Sequence, residues 1–265
     1  MERRRALITG GAHRLGRAMV LDLAATGWDV AVHYNSSAED AEDTAREGRA
    51  LGANIATLQA DLLVEEEVAG LVGRAVEVLG GPLSLLINSA SIFKNDKIPT
   101  MTRKTWDDAI GTNLRAPVKL TQDFAAQAPK AFADSNGEPV AQSVVINMLD
   151  MRVYKPLPTF ISYFTAKSGL YAFTRAAAQE FGPDIRVAGI GPGPTLRAPN
   201  QSEEHFMRQR GACILGRGSD PEDIVSAMRF IIANKAFTGQ MIAIDGGQHL
   251  SWAMTTPGGP SESNQ

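Results

Sequence analysis

A single cysteine, Cys213, occurs in 265 residues, so no disulfide can form within the chain. In its irregular surroundings it reads as a small apolar residue rather than a nucleophile. Histidine is scarce as well: His13, His33, His205 and His249 are scattered, and none belongs to a Cys/His cluster with zinc spacing. A dedicated metal site is not expected. A basic surplus is missing, since the formal net charge is −3, which argues against a general nucleic-acid binder. The run Arg3-Arg4-Arg5 reads as solvated charge beside the first strand. No apolar run approaches the roughly 18 residues of a membrane span. The stretch Ala6-Leu7-Ile8 that follows the arginines is too short for the core of a signal peptide. The expectation is a soluble, cytoplasmic protein with no membrane or nucleic-acid partner.

The chain does carry 44% apolar and 21% charged residues, enough to build a sizeable core and to exclude global disorder. Length alone fits one large α/β domain or two small ones. Short apolar runs alternate with helical stretches along almost the whole sequence. Strands are expected at Ala6–Thr9, Val30–His33, Asn54–Ala60, Leu83–Ile87, Val144–Met148, Ile185–Ile190 and Gln240–Ile244. Helices are expected at Arg17–Ala25, Ala38–Leu51, Glu65–Leu79, Thr105–Gln127, Ile161–Phe181 and Asp223–Ala233. Such alternation implies βαβ units and one mostly parallel sheet covered on both faces. No composition break marks a linker, so a single domain over residues 1–254 is expected. Residues 192–218 are irregular and suit a substrate loop. The Gly, Pro and Ser-rich tail 255–265 is expected to be disordered.

The first strand runs into Thr9-Gly10-Gly11-Ala12-His13-Arg14-Leu15-Gly16 and then a helix. A glycine loop in that position lets the backbone approach a pyrophosphate, whose charge then sits at the helix N-terminus. An acid at the end of the second strand would bind a ribose 2′-hydroxyl and repel a 2′-phosphate. Here the sequence reads Val32-His33-Tyr34-Asn35-Ser36-Ser37, with no acid before Glu39. Hydroxyls, an amide and a histidine suit a phosphate, and Arg14 adds charge, so NADPH is the expected cofactor.

Tyr163 and Lys167 lie four residues apart and hence on one helix face. A neighbouring cation moves a phenol towards the working pH range. Asn88-Ser89-Ala90 closes the fourth strand, and Asn113 lies in the following helix. Asp61, Pro192-Gly193 and Asp245-Gly246-Gly247 follow the third, sixth and seventh strands. In this order the residues resemble the short-chain dehydrogenase/reductase family over roughly residues 5–250. Arg14 stands in place of the family's middle glycine, and Ser89 in place of a second asparagine. The resemblance implies a doubly wound Rossmann domain with a seven-stranded parallel sheet, assembled as a homotetramer. It implies cofactor contacts from Gly10, Arg14, Leu15, His33, Tyr34, Asn35, Ser36, Asp61, Leu62, Asn88, Ser89, Ala90, Met148, Tyr163, Lys167, Pro192 and Gly193. It also gives Asn113 a water linking Lys167 to solvent.

One departure is informative. The family's catalytic serine lies thirteen residues before the tyrosine, and that position here is Asp150; Ser143 comes too early. An ionised carboxylate cannot donate a hydrogen bond to a ketone, but it can accept an N–H or relay a proton to a ring nitrogen. Asp150, Arg14 and Ser91-Ile92-Phe93 together look like the pteridine reductase branch. That likeness implies a proton relay of Asp150, Tyr163 and Lys167, with substrate contacts from Arg14, Ser91, Phe93, Asp150 and Tyr163. A plainer role for Phe93 is core packing, and for Asp150 a turn or helix cap. Phe160 replaces a second tyrosine of some members, and Trp252 stands where a neighbouring subunit's basic residue can enter. The alternatives are a generic ketone or 3-oxoacyl-carrier reductase, weakened by the missing serine, and a silent NADP-binding regulator.

Overall fold

Successive side chains of β1 (Arg4–Thr9) go to opposite faces: Ala6 and Ile8 join one core and Leu7 the other. The same split recurs in β2 (Trp28–Tyr34), β4 (Leu85–Asn88), β7 (Ser143–Met148) and β8 (Ile185–Pro192), as burial of a sheet on both faces requires. With β3 (Ile55–Gln59) and β9 (Met241–Ile244) these strands form a seven-stranded sheet in the order β3-β2-β1-β4-β7-β8-β9. Every neighbouring pair is parallel. The computed structural model describes residues 3–198 and 201–251. Trp252 and the segment 255–265 lie outside the described residues.

Helices cover both faces. α1 (Arg14–Ala25) and α8 (Pro221–Ala233) pack on the first core through Met19, Val20, Leu23, Ile224, Met228 and Ile231, joined by α2 (Ala38–Ala50) through Ala45. The second core takes α3 (Glu65–Leu79), α5 (Ala116–Gln127) and α6 (Ile161–Phe181) through Leu71, Phe124 and Ala177. The strand order reverses between β1 and β4, and such a crevice is where open α/β sheets bind ligands. Thr9, the last residue of β1, ties the two sides together. Its Oγ1 accepts from the backbone N–H groups of Ser89 at 2.9 Å and Ala90 at 3.1 Å. Among the described residues no helix is long and apolar enough to cross a membrane.

Three features differ from expectation. The helix expected over 105–127 is interrupted: α4 (Arg103–Ile110) passes through a π-helical stretch, Gly111–Arg115, before α5. The wider π turn carries Asn113, a position where such bulges often serve function. The turn at 135–139 closes a small antiparallel hairpin of β5 (Phe132–Ala133) and β6 (Pro139–Val140). The segment expected to be irregular carries α7 (Glu203–Gly211), whose N-cap Ser202 accepts from the His205 N–H.

His33 of β2 is buried and uses both ring nitrogens. Nδ1 accepts from the Gly10 N–H at 3.1 Å, so Nε2 carries the proton and donates to the Ala60 carbonyl at 3.0 Å. Burial lowers the ring from 6.5 to about 4. Between those values the unfolded chain binds a proton that the native chain does not. Stability is therefore complete above the unfolded value and lost as pH falls towards the native one, by on the order of 3 kcal/mol. Melting temperature followed from neutral pH to about 4.5 should fall more steeply for the unmodified protein than for His33→Asn. The asparagine oxygen still accepts from Gly10 but does not titrate. Parallel declines in both proteins would place the acid sensitivity elsewhere.

Candidate active site

The loop from β1 to α1 approaches its neighbours too closely for side chains at two glycines. A Cβ on Gly10, whose φ is +64°, would lie 2.9 Å from the Ala90 Cα. One on Gly16 would lie 2.0 Å from the Gly10 carbonyl oxygen. This bare backbone forms one wall of a cavity of about 530 Å³. Arg14 and Leu15 follow on the same wall, with Tyr34, Asn35 and Ser36 after β2 and Asp61 and Leu62 after β3. Ser89, Ala90, Ser91 and Phe93 line it from the end of β4, and Met148, Asp150, Tyr163, Lys167, Pro192 and Gly193 complete it. The end of β2 and the loop after it bring Tyr34, Asn35, Ser36 and Ser37 to the cavity and no acid. Arg14 holds a left-handed φ of +58°. Its guanidinium donates to the Arg197 carbonyl at 3.0 Å and the Leu196 carbonyl at 3.1 Å.

Asp150 follows the end of β7, where Leu149 N–H donates to the Ile190 carbonyl of β8 at 2.7 Å. One carboxylate oxygen, Oδ1, accepts from the Arg152 N–H at 2.8 Å and so caps a short 3-10 turn, Met151–Val153. The other, Oδ2, accepts from the Tyr163 hydroxyl at 2.8 Å. One side chain thus both caps the turn and meets the Tyr163 hydroxyl. Lys167, also buried, donates to the Met148 carbonyl at 2.6 Å. Burial lowers its ammonium to about 8. The helix bearing both residues is fixed at its start by buried Asp96. Its carboxylate accepts from the Ser162 hydroxyl at 2.5 Å and the Ser162 N–H at 3.2 Å, and its carbonyl from the Phe160 N–H at 2.7 Å.

The phenol departs from expectation in direction. Burial, reinforced by the adjacent Asp150 charge, raises Tyr163 well above 10, and the Arg152 charge only partly opposes this. Lys167 does not bring it down here, because its ammonium lies 5.7 Å from the phenol ring centre and hydrogen-bonds the backbone. Tyr163 therefore stands protonated at neutral pH, with its proton directed at a carboxylate.

Phe93 is 42% exposed, which removes the core-packing alternative. One face stacks on Phe160 with centroids 4.3 Å apart and planes 12° apart, and it meets Tyr163 edge-on at 4.8 Å. Such pairs add about 0.5–1.5 kcal/mol to area burial, so Phe160 backs the ring and fixes its plane.

Three expected site residues serve the scaffold instead. Asn88 does not reach the cavity: its Nδ2 donates to Asn147 Oδ1 at 2.8 Å, opposite it in the β4–β7 register. The Asn113 side chain is spent on Ile92, accepting from its N–H at 2.8 Å and donating to its carbonyl at 2.9 Å. It clamps the loop leading to Phe93. His33 lines the cavity, yet the bonds to Gly10 and Ala60 leave no ring N–H for a phosphate. Cys213 is buried, and burial raises its thiol, as an inert residue requires.

Sequence reasoning missed Arg152, Leu196, Gln201, Phe206, Gln209 and Gln248, which also line the cavity. For Phe206 and Gln209 a signal existed, because Ser202 followed by Glu203 and Glu204 is a helix start. Arg152 has no such local pattern.

The short chain dehydrogenase family matches residues 4–207. The chain is 29% identical over 253 residues to the 3-oxoacyl-[acyl-carrier-protein] reductase FabG of Staphylococcus aureus, covering 92% of this chain and 98% of that protein. It is 39% identical to the solved FolM alternative dihydrofolate reductase 1 of Brucella suis in complex with NADP, with a TM-score of 0.87 and coverage of 95% and 97%. The Brucella canis FolM structure, complexed with NADP, gives a TM-score of 0.85 at 39% identity, with coverage of 95% and 96%. With the glycine loop, the parallel sheet and the Tyr163/Lys167 helix in place, this chain belongs to the short-chain dehydrogenase/reductase family.

Proposed function

We propose that the protein is an NADPH-dependent reductase of a pterin, of the dihydropterin or dihydrofolate type. The observation that carries this proposal is the 2.8 Å hydrogen bond from Tyr163 to a carboxylate, Asp150, where a ketone-reducing site needs a donor. Support comes also from the 39% identical FolM structures, both complexed with NADP. The residues present fit the dinucleotide. The Gly10 backbone is bare enough for a pyrophosphate to approach, and the loop Tyr34–Ser37 offers hydroxyls and an amide with no carboxylate. Arg14, Ser36 and the backbone of this wall would hold it, with Lys167 towards its ribose. When bound, NADPH supplies the hydride that reduces a C=N bond at carbon.

The chain supplies the proton at nitrogen. Tyr163 carries it, bonded to Asp150 Oδ2, and for transfer the hydroxyl would turn from the carboxylate to the nitrogen, or pass its proton there through Asp150. Lys167, held by Met148, would serve the ribose rather than the phenol. Phe93 offers its unstacked face to a planar heterocycle, and Ser91 stands beside it. A ketone is served less well, because ionised Asp150 has no hydrogen to place on a carbonyl oxygen. The proposal includes a cytoplasmic homotetramer, for which light scattering should give four times the 28.3 kDa chain.

The first test is kcat/KM for a dihydropterin, dihydrofolate and a β-ketoester at saturating NADPH. Asp150→Ser should lower pterin turnover about tenfold or more, because serine offers one donor and no charge. A protein that ignores pterins and reduces the β-ketoester, with Asp150→Ser no worse, would establish a 3-oxoacyl-type reductase instead. A pH profile gives a second test. Removing the Asp150 charge removes a cause that raises both the Tyr163 phenol and the Lys167 ammonium, so Asp150→Asn should move the alkaline limb of kcat/KM to lower pH. An unmoved or higher limb would mean that the carboxylate governs neither group.

A further inference from the structure

We propose that Arg152 is a substrate-binding residue, whose guanidinium, left with an unpaired donor, turns to donate to a carbonyl or carboxylate oxygen of the molecule being reduced. The residue is only 6% exposed yet lines the cavity. Its Nη1 is buried and has no hydrogen-bond partner among the described residues. A guanidinium stays charged in proteins and can only donate. Leaving one of its donors unpaired away from water is costly, more so than for a neutral group. Asp150 balances part of the charge, with Oδ1 3.9 Å from Nε, but that contact does not satisfy Nη1.

The position is held rather than incidental. The guanidinium carbon lies 4.6 Å from the Phe160 ring centre and 5.3 Å from that of Phe93, which also lines the cavity. The backbone is fixed too, through the Arg152 N–H on Asp150 and the Lys155 N–H on the Arg152 carbonyl. The wall beside Tyr163 thus carries an acceptor, Asp150, next to a donor, Arg152. That order of groups reads an N–H beside a C=O, the edge of a cyclic amide. Identifying the oxygen as the ring carbonyl of a pterin rests on the proposed function; the existence of the bond does not. A folate-type tail carries amide and carboxylate oxygens of the same chemistry, so the two sources need separate arms.

The experiment compares Arg152→Gln and Arg152→Lys with the unmodified enzyme at saturating NADPH. Substrates are a dihydropterin with a short neutral side chain, dihydrofolate and a β-ketoester. Loss of a charge-assisted bond made to bound substrate should raise KM about ten- to a hundredfold in Arg152→Gln, with a smaller change in kcat. Arg152→Lys should fall between, because the charge survives without the planar fork. The dissociation constant for NADPH and the melting temperature should stay near those of the unmodified protein. A rise shared by both pterins identifies the ring oxygen, and a rise for dihydrofolate alone identifies the tail; either supports the bond. If the unmodified enzyme reduces only the β-ketoester, the pterin proposal fails. The KM test then runs on that substrate, whose ester carbonyl offers the same acceptor. Unchanged KM in both variants, with stability alone reduced, would make Arg152 a packing residue and overturn the inference.

Discussion

The hydroxyl of Tyr163 donates to the Asp150 carboxylate inside a wall that excludes most water, and the chemistry of the cavity follows from that bond. Two acids at this distance cannot both ionise cheaply, so the carboxylate keeps the charge and the phenol keeps the proton. The pair needs two elements far apart in sequence to meet. Asp150 leaves β7 beside β8, and Tyr163 sits in the first turn of α6, whose start is anchored by Asp96. A small shift at either end would break the bond, and the surrounding polar contacts resist such a shift.

Much of the buried polarity is spent in that way. Asn88 reaches Asn147, Asn147 Nδ2 donates to the Thr174 hydroxyl at 2.9 Å, and that hydroxyl donates to the Leu170 carbonyl at 2.8 Å. The chain of bonds joins β4 and β7 to the helix that carries Tyr163 and Lys167. Thr9 and His33 do the same for the glycine loop, and Asn113 for the loop ending at Phe93. Apart from Asn88 Oδ1, which has no partner among the described residues, these side-chain contacts pair groups that would be expensive if unpaired, so they select one register and one loop conformation. Rigidity at the walls follows from satisfied polar groups as much as from the apolar cores behind them.

The sheet was legible because its strands are near-continuous apolar runs, and a strand buried on both faces leaves that mark in sequence. Tyr163 and Lys167 were legible because a four-residue spacing places them on one helix face before any tertiary contact is known. Asn88 and Asn113 were misplaced for the opposite reason. Whether an asparagine faces a cavity or a neighbour depends on pairing with distant residues, Asn147 in one case and Ile92 in the other. The fall of the Lys167 ammonium and the rise of the Tyr163 phenol likewise come from burial, which spacing does not report. α7 escaped notice because none of its residues is buried, so it shows no apolar stripe at helical period. The π-helical stretch is a slip in backbone hydrogen bonding that leaves the apolar pattern around it intact.

Arg14 shows how such a poorly anchored segment is kept against the cavity. A side chain in the left-handed region costs about 1–3 kcal/mol where glycine would cost nothing. The arginine offsets this with two hydrogen bonds from a charged group to the carbonyls of Leu196 and Arg197, a kind worth about 1.5–3 kcal/mol when shielded and less where water competes. From the other side Arg210 donates to the carbonyls of Pro194 at 3.0 Å and Ser219 at 2.6 Å, and to Asp220 at 2.9 Å. Residues 194–198 and the helix α7 are therefore fastened by polar ties. Since Arg14 also follows directly on the glycine loop, that wall of the cavity and the segment 194–198 share one side chain. A glycine there would relax the backbone and cut that link, which is why the exchange for arginine has a structural meaning beyond its charge.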